Sequence, residues 1–188
     1  MERTQEERTL IKDLLELGHL EVINSFPKDD VYLDEVLQVI LETYRAQIDE
    51  KKIDLQINIS PAIPAITAAP DQIKSLWNNL ISNAIKYTPE YGQIRVALNI
   101  GPQNDIIGEI SDTGIGVPEE AKEKLFTEFF RAKNAKELEI PGTGLGLVIV
   151  KKILDGLNGN ISVKSQADEG TTFRFMIPAK LTKLVDEE

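Results

Sequence analysis

Alternation of apolar and polar residues at Ile53, Leu55, Ile57 and Ile59, again over 94–100 and again over 106–110, limits the folds open to this chain more than any other feature. A side-chain period of two puts the apolar residues of each run on one face, so each run predicts a strand with one side against a core. The turn residues Gly101-Pro102-Gln103-Asn104-Asp105 join the second and third runs into a predicted hairpin, and Pro61 and Pro64 end the first strand. Two further strands are predicted around 161–165 and 172–177. Elsewhere the apolar period is helical. Leu10, Ile11, Leu14, Leu15 and Leu17 predict a helix over 8–22, and Val36, Leu37, Ile40, Leu41 and Tyr44 one over 33–50. A third helix runs from Asp71, a carboxylate suited to the positive end of the helix dipole, to about Tyr87. Shorter helices are predicted over 119–126 and 147–157, with a mixed polar segment over 131–141 between them. This order predicts an α+β fold, a two-layer sandwich with helices on one face of a mixed, largely antiparallel sheet. A doubly wound sheet would alternate strand and helix more strictly.

Pro27 and the charges near it break the periodicity, which predicts a helix in residues 1–25, a linker over 26–32, a principal domain over 33–180 and a tail over 181–188. A net charge of -10 argues against nucleic acid as a partner, because binding a polyanion needs a basic face. No apolar run approaches the roughly 18 residues of a membrane helix, so no membrane contact is expected, and the absence of cysteine excludes thiolate metal sites. The Asn-Ile-Ser triplets at Asn58 and Asn160 match a glycosylation acceptor, but both fall in strand-like runs without secretory marks, and are read as chance.

On the third helix, Ile73, Leu76, Trp77, Leu80, Ile81 and Ala84 gather on one side, and Asn79, Asn83 and Lys86 form a narrow stripe on the other. A merely wet face would favour Glu, Lys or Gln, since Asn is a poor former of helix interiors. A carboxamide offers Mg²⁺ a neutral hard oxygen, and a lysine one turn on offers phosphate a point charge. Spacing alone leaves both readings open.

Asp112-Thr113-Gly114-Ile115-Gly116 follows a strand, where a carboxylate can accept a hydrogen bond from an adenine amino group and glycine lets a flat ligand approach the backbone. By itself this is also an ordinary turn composition. Gly142-Thr143-Gly144-Leu145-Gly146-Leu147 runs straight into a helix, whose free N–H groups bind anions. Its spacing matches neither a dinucleotide fingerprint nor a Walker loop.

In combination, the segment from Asn79 to Thr88, the Asp112–Gly116 turn, Leu125-Phe126-Thr127-Glu128-Phe129-Phe130-Arg131 and the Gly142–Leu147 loop resemble the N, G1, F and G2 boxes of sensor histidine kinases. Gly170-Thr171-Thr172-Phe173 resembles the closing strand of the same catalytic domain, and residues 8–21 the end of the second helix of its dimerization hairpin. The resemblance implies a Bergerat-type ATP-binding fold of the GHKL superfamily, with ATP and Mg²⁺ bound. It implies Asn83 as the metal ligand, Asn79, Lys86 and Arg131 beside the phosphates, Tyr87 beside the nucleotide and Asp112 reading the adenine amino group. Gly114, Gly116, Gly142, Thr143, Gly144, Leu145, Gly146, Leu147 and Thr171 would complete the nucleotide site, and residues 132–141 would form a lid that orders only with ligand.

The implied partners are a phosphoacceptor helix of the same kinase, a response regulator and, in the full-length protein, a second copy of the chain in a homodimer. The implied location is the cytoplasm, under a parent that a membrane could anchor. The only histidine, His19, is followed by Leu20 rather than an acidic residue, so the phosphoacceptor is expected outside this chain. Hydrolytic relatives of the gyrase and Hsp90 kind carry glutamate where Asn79 stands; a carboxamide cannot act as that base, which favours kinase over ATPase. The N-terminal helix, with Leu10, Leu14 and Leu17 lacking bundle partners, is expected to self-associate weakly or pack on the domain.

Overall fold

A computed structural model describes residues 2–21 and 27–178. Its elements are α1 (Glu2–Glu21), β1 (Asp29–Val31), α2 (Leu33–Thr43), α3 (Arg45–Glu50), β2 (Asp54–Ile59), β3 (Ile66–Ala68) and α4 (Pro70–Tyr87). They continue through β4 (Gln93–Ile100), β5 (Ile106–Asp112), α5 (Glu119–Lys122), α6 (Lys133–Glu137), α7 (Gly146–Gly156), β6 (Asn160–Gln166) and β7 (Gly170–Ile177). The expected tail at 181–188, and residues 22–26 of the expected helix end and linker, lie outside the described residues.

Five strands form one mixed sheet in the order β2-β4-β5-β7-β6. Only β2 and β4 pair in parallel, because the chain between them crosses over through α4; the other pairs are antiparallel. The predicted hairpin is present with Leu98 opposite Gly108, and Gly108 in turn opposes Phe175. A Cβ on Gly108 would lie 2.1 Å from the Phe175 ring, so the missing side chain is what makes room for that ring over the neighbouring strand. Trp77 of α4 meets Phe175 edge-on at 5.4 Å and donates its indole N–H to the Leu33 carbonyl at 3.0 Å, satisfying its one polar group inside the core.

Ile94, Val96, Leu98, Ile110 and Phe175 on the sheet close one core with Leu76, Leu80 and Ile81 of α4 and Ile149, Val150 and Ile153 of α7. The helices thus occupy one face, as the one-sided alternation requires.

Several elements differ from expectation. The helix expected over 33–50 breaks at Tyr44, whose backbone (φ -95°, ψ 2°) leaves helical geometry while its N–H is shared between the Ile40 and Leu41 carbonyls. The break lets Ile48 bury on its own account and sends the Tyr44 hydroxyl to Asn78 Oδ1 on α4 at 2.9 Å. β1 falls within the expected linker and pairs antiparallel with β3, two strands of three residues too short to show alternation. The helix expected over 119–126 ends at Lys122 and continues as turns, and the polar stretch over 131–141 contains α6. The first helix begins at Glu2 rather than at residue 8, since elongating a nucleated helix through residues of good propensity needs no apolar stripe.

That helix lies on the domain. Leu17 is buried in the main core, Leu10 and Leu20 pack against it, and Ile11, Leu14 and Leu15 stay exposed. Packing on the domain is therefore the alternative realised for Leu10 and Leu17, whereas Leu14 faces away. Among the described residues no helix is long and apolar enough to cross a membrane.

Candidate functional site

The polar side of α4 forms the floor of a cavity of about 1380 Å³ whose other walls are the end of β5, the loop before α7, the segment carrying α6, and α1. α4 can present that side because Ile73, Leu76, Trp77, Leu80, Ile81, Ala84 and Ile85 commit its other side to the core. Pro70 at its first turn sacrifices no hydrogen bond, and its far end is tied down by Lys51, whose ammonium donates to the carbonyls of Ile85 (2.7 Å), Lys86 (3.3 Å) and Thr88 (2.7 Å). The Thr88 hydroxyl closes the same turn by donating to the Ala84 carbonyl at 2.6 Å.

Asn79, Asn83, Lys86 and Tyr87 all line the cavity. Asn79 donates through Nδ2 to the Ser75 carbonyl at 3.0 Å, which turns its Oδ1 toward Gly146, the first residue of α7. The Lys86 ammonium lies 4.8 Å from the centre of the Tyr87 ring. Burial, and then the nearby Arg131 guanidinium, lower the Lys86 pKa to about 8 against the opposing pull of Asp13. A cation held this way is short of anions.

Asp112 ends β5 with 7% of its surface exposed. Burial pushes its carboxyl up to about 6, although the N–H groups of Gly114 (2.8 Å to Oδ1) and Thr171 favour the ionised form. Thr171, its register partner on β7, shares a hydrogen bond with Ser165 at 2.9 Å, and the Ser165 hydroxyl also accepts from the Val117 N–H at 2.8 Å, so the turn after Asp112 is pinned to the sheet edge. Within that turn Gly116 has φ +61°, and a Cβ there would lie 1.8 Å from the Gln166 carbonyl oxygen, which only glycine avoids.

In the second loop Gly144 has φ +76° against the Phe129–Phe130 backbone. Thr143 caps the chain ahead of α7 by accepting the Leu145 N–H at 3.3 Å and donates to Asp13 at 2.6 Å. Gly142, Thr143, Gly144, Gly146 and Leu147 line the cavity together with Asp112, Gly116, Arg131 and Thr171. Two expected residues do not: the Leu145 side chain is fully buried in the main core, and Gly114 contributes an N–H to Asp112 rather than a surface to the cavity.

The segment over 132–141, expected to order only with ligand, is anchored by apolar and polar contacts. Ala132 and Ala135 are buried, with Ala132 packed among Val117 and Ala121, and Asn134 donates to the carbonyls of Gly116 (3.0 Å) and Ile115 (3.3 Å). Alanines are too small to stand out in a polar stretch, which is why their burial leaves no trace in the sequence. Tyr44, Asn78, Ser82, Asn134 and Asp13 also line the cavity. No periodicity marks Tyr44 or Asp13 as site residues, because a break in one helix and the docking of another bring them there.

The cavity suits a polyphosphate anion on two observations. Arg131 donates through Nη2 to the Ile140 carbonyl, but its buried Nε has no partner, an unmet donor that an anion would satisfy. A Cβ on Gly142 would sit 2.7 Å from Lys86 Nζ, so glycine there leaves the space beside the ammonium open. Among the described residues no cluster of His, Cys, Asp or Glu could hold a metal ion. The donor set fits a metal carried mainly by phosphate and water, with a carboxamide oxygen such as that of Asn83 as its protein ligand.

Residues 68–181 match the family described as histidine kinase-, DNA gyrase B- and HSP90-like ATPases. Over 149 residues, 79% of this chain, the sequence is 38% identical to the adaptive-response sensory kinase SasA of Rippkaea orientalis, of whose length the match spans 38%. The chain thus spans well under half of that relative. Among solved structures it resembles the catalytic domain of the histidine kinase ThkA in nucleotide-free form (30% identity, TM-score 0.69), covering 80% of this chain and 95% of that one. It also resembles ThkA in complex with the response regulator protein TrrA (25% identity, TM-score 0.74), covering 94% of this chain and 48% of that one.

Proposed function

Because this chain belongs to the histidine kinase-, DNA gyrase B- and HSP90-like ATPase family, with the fold of a histidine kinase catalytic domain, we propose that it transfers the γ-phosphate of ATP to a histidine on a dimerization helix. The observation that carries this is the convergence of Asn79, Asn83, Lys86, Asp112, Arg131 and the Gly142–Leu147 loop on one cavity.

Asp112 accepts the adenine amino N–H, which guanine cannot offer at that position. Tyr87 and Thr171 flank the nucleotide, with Gly114 and Gly116 shaping the turn beside it. Asn83 holds Mg²⁺, which when bound neutralises charge on the triphosphate oxygens. Lys86 and Arg131 supply positive charge at the phosphates, and the N–H groups at the start of α7 add dipoles there. Leu145 acts from the core, by seating the loop. Asn79 directs a carboxamide where a general base would need a carboxylate, so transfer to a protein nucleophile is favoured over transfer to water.

Residues 1–25 belong to the second helix of a dimerization hairpin, 26–32 join it to a catalytic domain over 33–180, and 181–188 form a tail. A homodimeric parent, a response regulator as the recipient of phosphate and a cytoplasmic location for this domain complete the proposal; the ThkA–TrrA complex supports the second of these. Isothermal calorimetry of the purified chain is expected to show ATP binding that strengthens with Mg²⁺. Labelled γ-phosphate is expected to reach a histidine on a supplied hairpin. Absence of nucleotide binding would overturn the site, and binding without transfer would overturn the kinase reading.

A further inference from the structure

α1 does more than cover apolar surface. Its buried Leu17 and half-buried Leu10 seat it on the domain core, and that seating carries Glu7, Thr9, Lys12 and Asp13 to the rim of the nucleotide cavity. Two carboxylates of α1 then engage the elements proposed above to hold phosphate. Asp13 accepts the Thr143 hydroxyl at 2.6 Å in the glycine loop. Glu16 accepts the Ser75 hydroxyl one turn before Asn79, and Ser75 in turn accepts the Asn79 carboxamide N–H.

The position of Asp13 is the informative one. Thr143 lies next to Gly142, whose missing side chain leaves the space beside Lys86 Nζ open, and Lys86 feels the Asp13 charge directly. The Lys86–Arg131 pair, short of anions and with the Arg131 Nε unpartnered, therefore has one carboxylate at its edge. A triphosphate brought to the same loop adds several negative charges next to that carboxylate and competes for the same hydroxyl. Two anions sharing one set of donors repel, so each weakens the hold of the other.

Resting on the nucleotide reading of this cavity, we propose that Asp13 is an internal anion that competes with the nucleotide phosphates for Thr143, so that seating of α1 and binding of a triphosphate oppose one another. The opposition acts on the phosphates and not on the base, because Asp112 and the adenine end stand on β5, away from α1. By reciprocity, whatever draws α1 off the domain favours nucleotide, and nucleotide favours a released α1. The device needs no new fold: a helix held by one buried leucine, the half-buried Leu10 and Leu20 and two part-buried carboxylates is a docked element with a modest release cost.

The test compares the full chain with Asp13→Asn and Glu16→Gln, using Mg-ATP and adenosine as probes in calorimetry, with thermal melts to show that the variants fold. Asp13→Asn keeps the shape of the side chain and removes its charge. It is expected to tighten Mg-ATP by about three- to tenfold, the range for a charge-assisted hydrogen bond discounted for solvent, and to leave adenosine within twofold. Glu16→Gln removes the same charge one turn away without touching Thr143; because Glu16 helps to seat α1 through Ser75, it is expected to tighten Mg-ATP as well, but by less than Asp13→Asn does. In the unsubstituted chain, adding Mg-ATP is expected to speed amide exchange over residues 9–17.

Weaker Mg-ATP binding by Asp13→Asn would make the carboxylate a ligand to the metal or phosphate site and overturn the proposal. Equal tightening by both variants would reduce it to a general field effect, and slower exchange in α1 on adding nucleotide would contradict it outright. Loss of Mg-ATP and adenosine binding by every form, including the unsubstituted chain, would instead overturn the nucleotide reading on which the proposal rests.

Discussion

At the residue scale the site depends on two groups whose ionisation the fold has moved toward neutrality from opposite sides. Burial raises the Asp112 carboxyl to about 6 and lowers the Lys86 ammonium to about 8. An adenine amino group needs the carboxylate, and phosphate needs the ammonium, so affinity for Mg-ATP is expected to be flat between these values. It should fall as pH drops through about 6, when Asp112 takes up a proton, and as pH rises through about 8, when Lys86 loses one. Calorimetry across pH 5 to 9 checks both flanks, and a monotonic profile would remove one of the two groups from the site. Asp112 also has a consequence for folding. A carboxyl whose folded value lies above its unfolded value costs nothing below the unfolded pKa, destabilises progressively as pH rises toward the folded one, and levels off above it. Asp112→Asn, which keeps an oxygen for the Gly114 N–H, is therefore expected to melt a few degrees higher at pH 7.5, with that advantage gone near pH 4. The same substitution should weaken Mg-ATP at least tenfold, the separation expected of a group retained for binding at the expense of stability.

At the scale of elements, α4 is where packing and chemistry meet, and its last turn matters most because Lys86 and Tyr87 stand on it. Lys51 holds that turn through three carbonyls that the helix itself leaves without partners. Lys51→Met keeps the aliphatic stem and removes the donors. It is expected to cost about 1–2 kcal/mol in urea unfolding, since the carbonyls can recover water in part. Amide exchange should quicken first over residues 85–89, and Lys51→Arg should restore most of the loss. An unchanged unfolding midpoint would mean that water caps this helix as well as lysine does. The Asn134 clip to the Gly116 and Ile115 carbonyls plays a comparable part for α6, tying the segment over 132–141 to the turn beside Asp112.

At the scale of the molecule, one core organises the sheet, α4, α7 and, through Leu17, the N-terminal helix. Leu17→Ala is expected to loosen α1 with little effect on the sheet, because Leu17 is the only α1 side chain fully inside that core among the described residues. Fast amide exchange through residues 9–20 beside unchanged protection in β5 and β7 would show this, whereas a uniform loss of protection would mean that α1 and the domain unfold together. A buried leucine cut to alanine typically loses about 2–5 kcal/mol, which is ample to release a helix docked by so few contacts.

What the amino-acid sequence determined without help is whatever local periodicity encodes. Alternation over 94–100 and 106–110 was enough for the hairpin, the one-sided stripe on α4 for the buried and open faces of the helix, and the glycines at 116 and 144 for turns that other residues could not make. The tertiary structure decided what depends on distance between elements. Tyr44 reaches α4 only because its helix breaks, Lys51 becomes a cap only when β2 passes the end of α4, and Asp13 meets Thr143 across 130 positions of chain. Leu145 and Gly114 mark the same boundary from the other side, lying inside site segments yet serving the core and a carboxylate instead of the cavity wall. Periodicity is a property of neighbours along the chain, and a pocket is a property of surfaces brought together by burial, so the first is written locally and the second exists only once the core has closed.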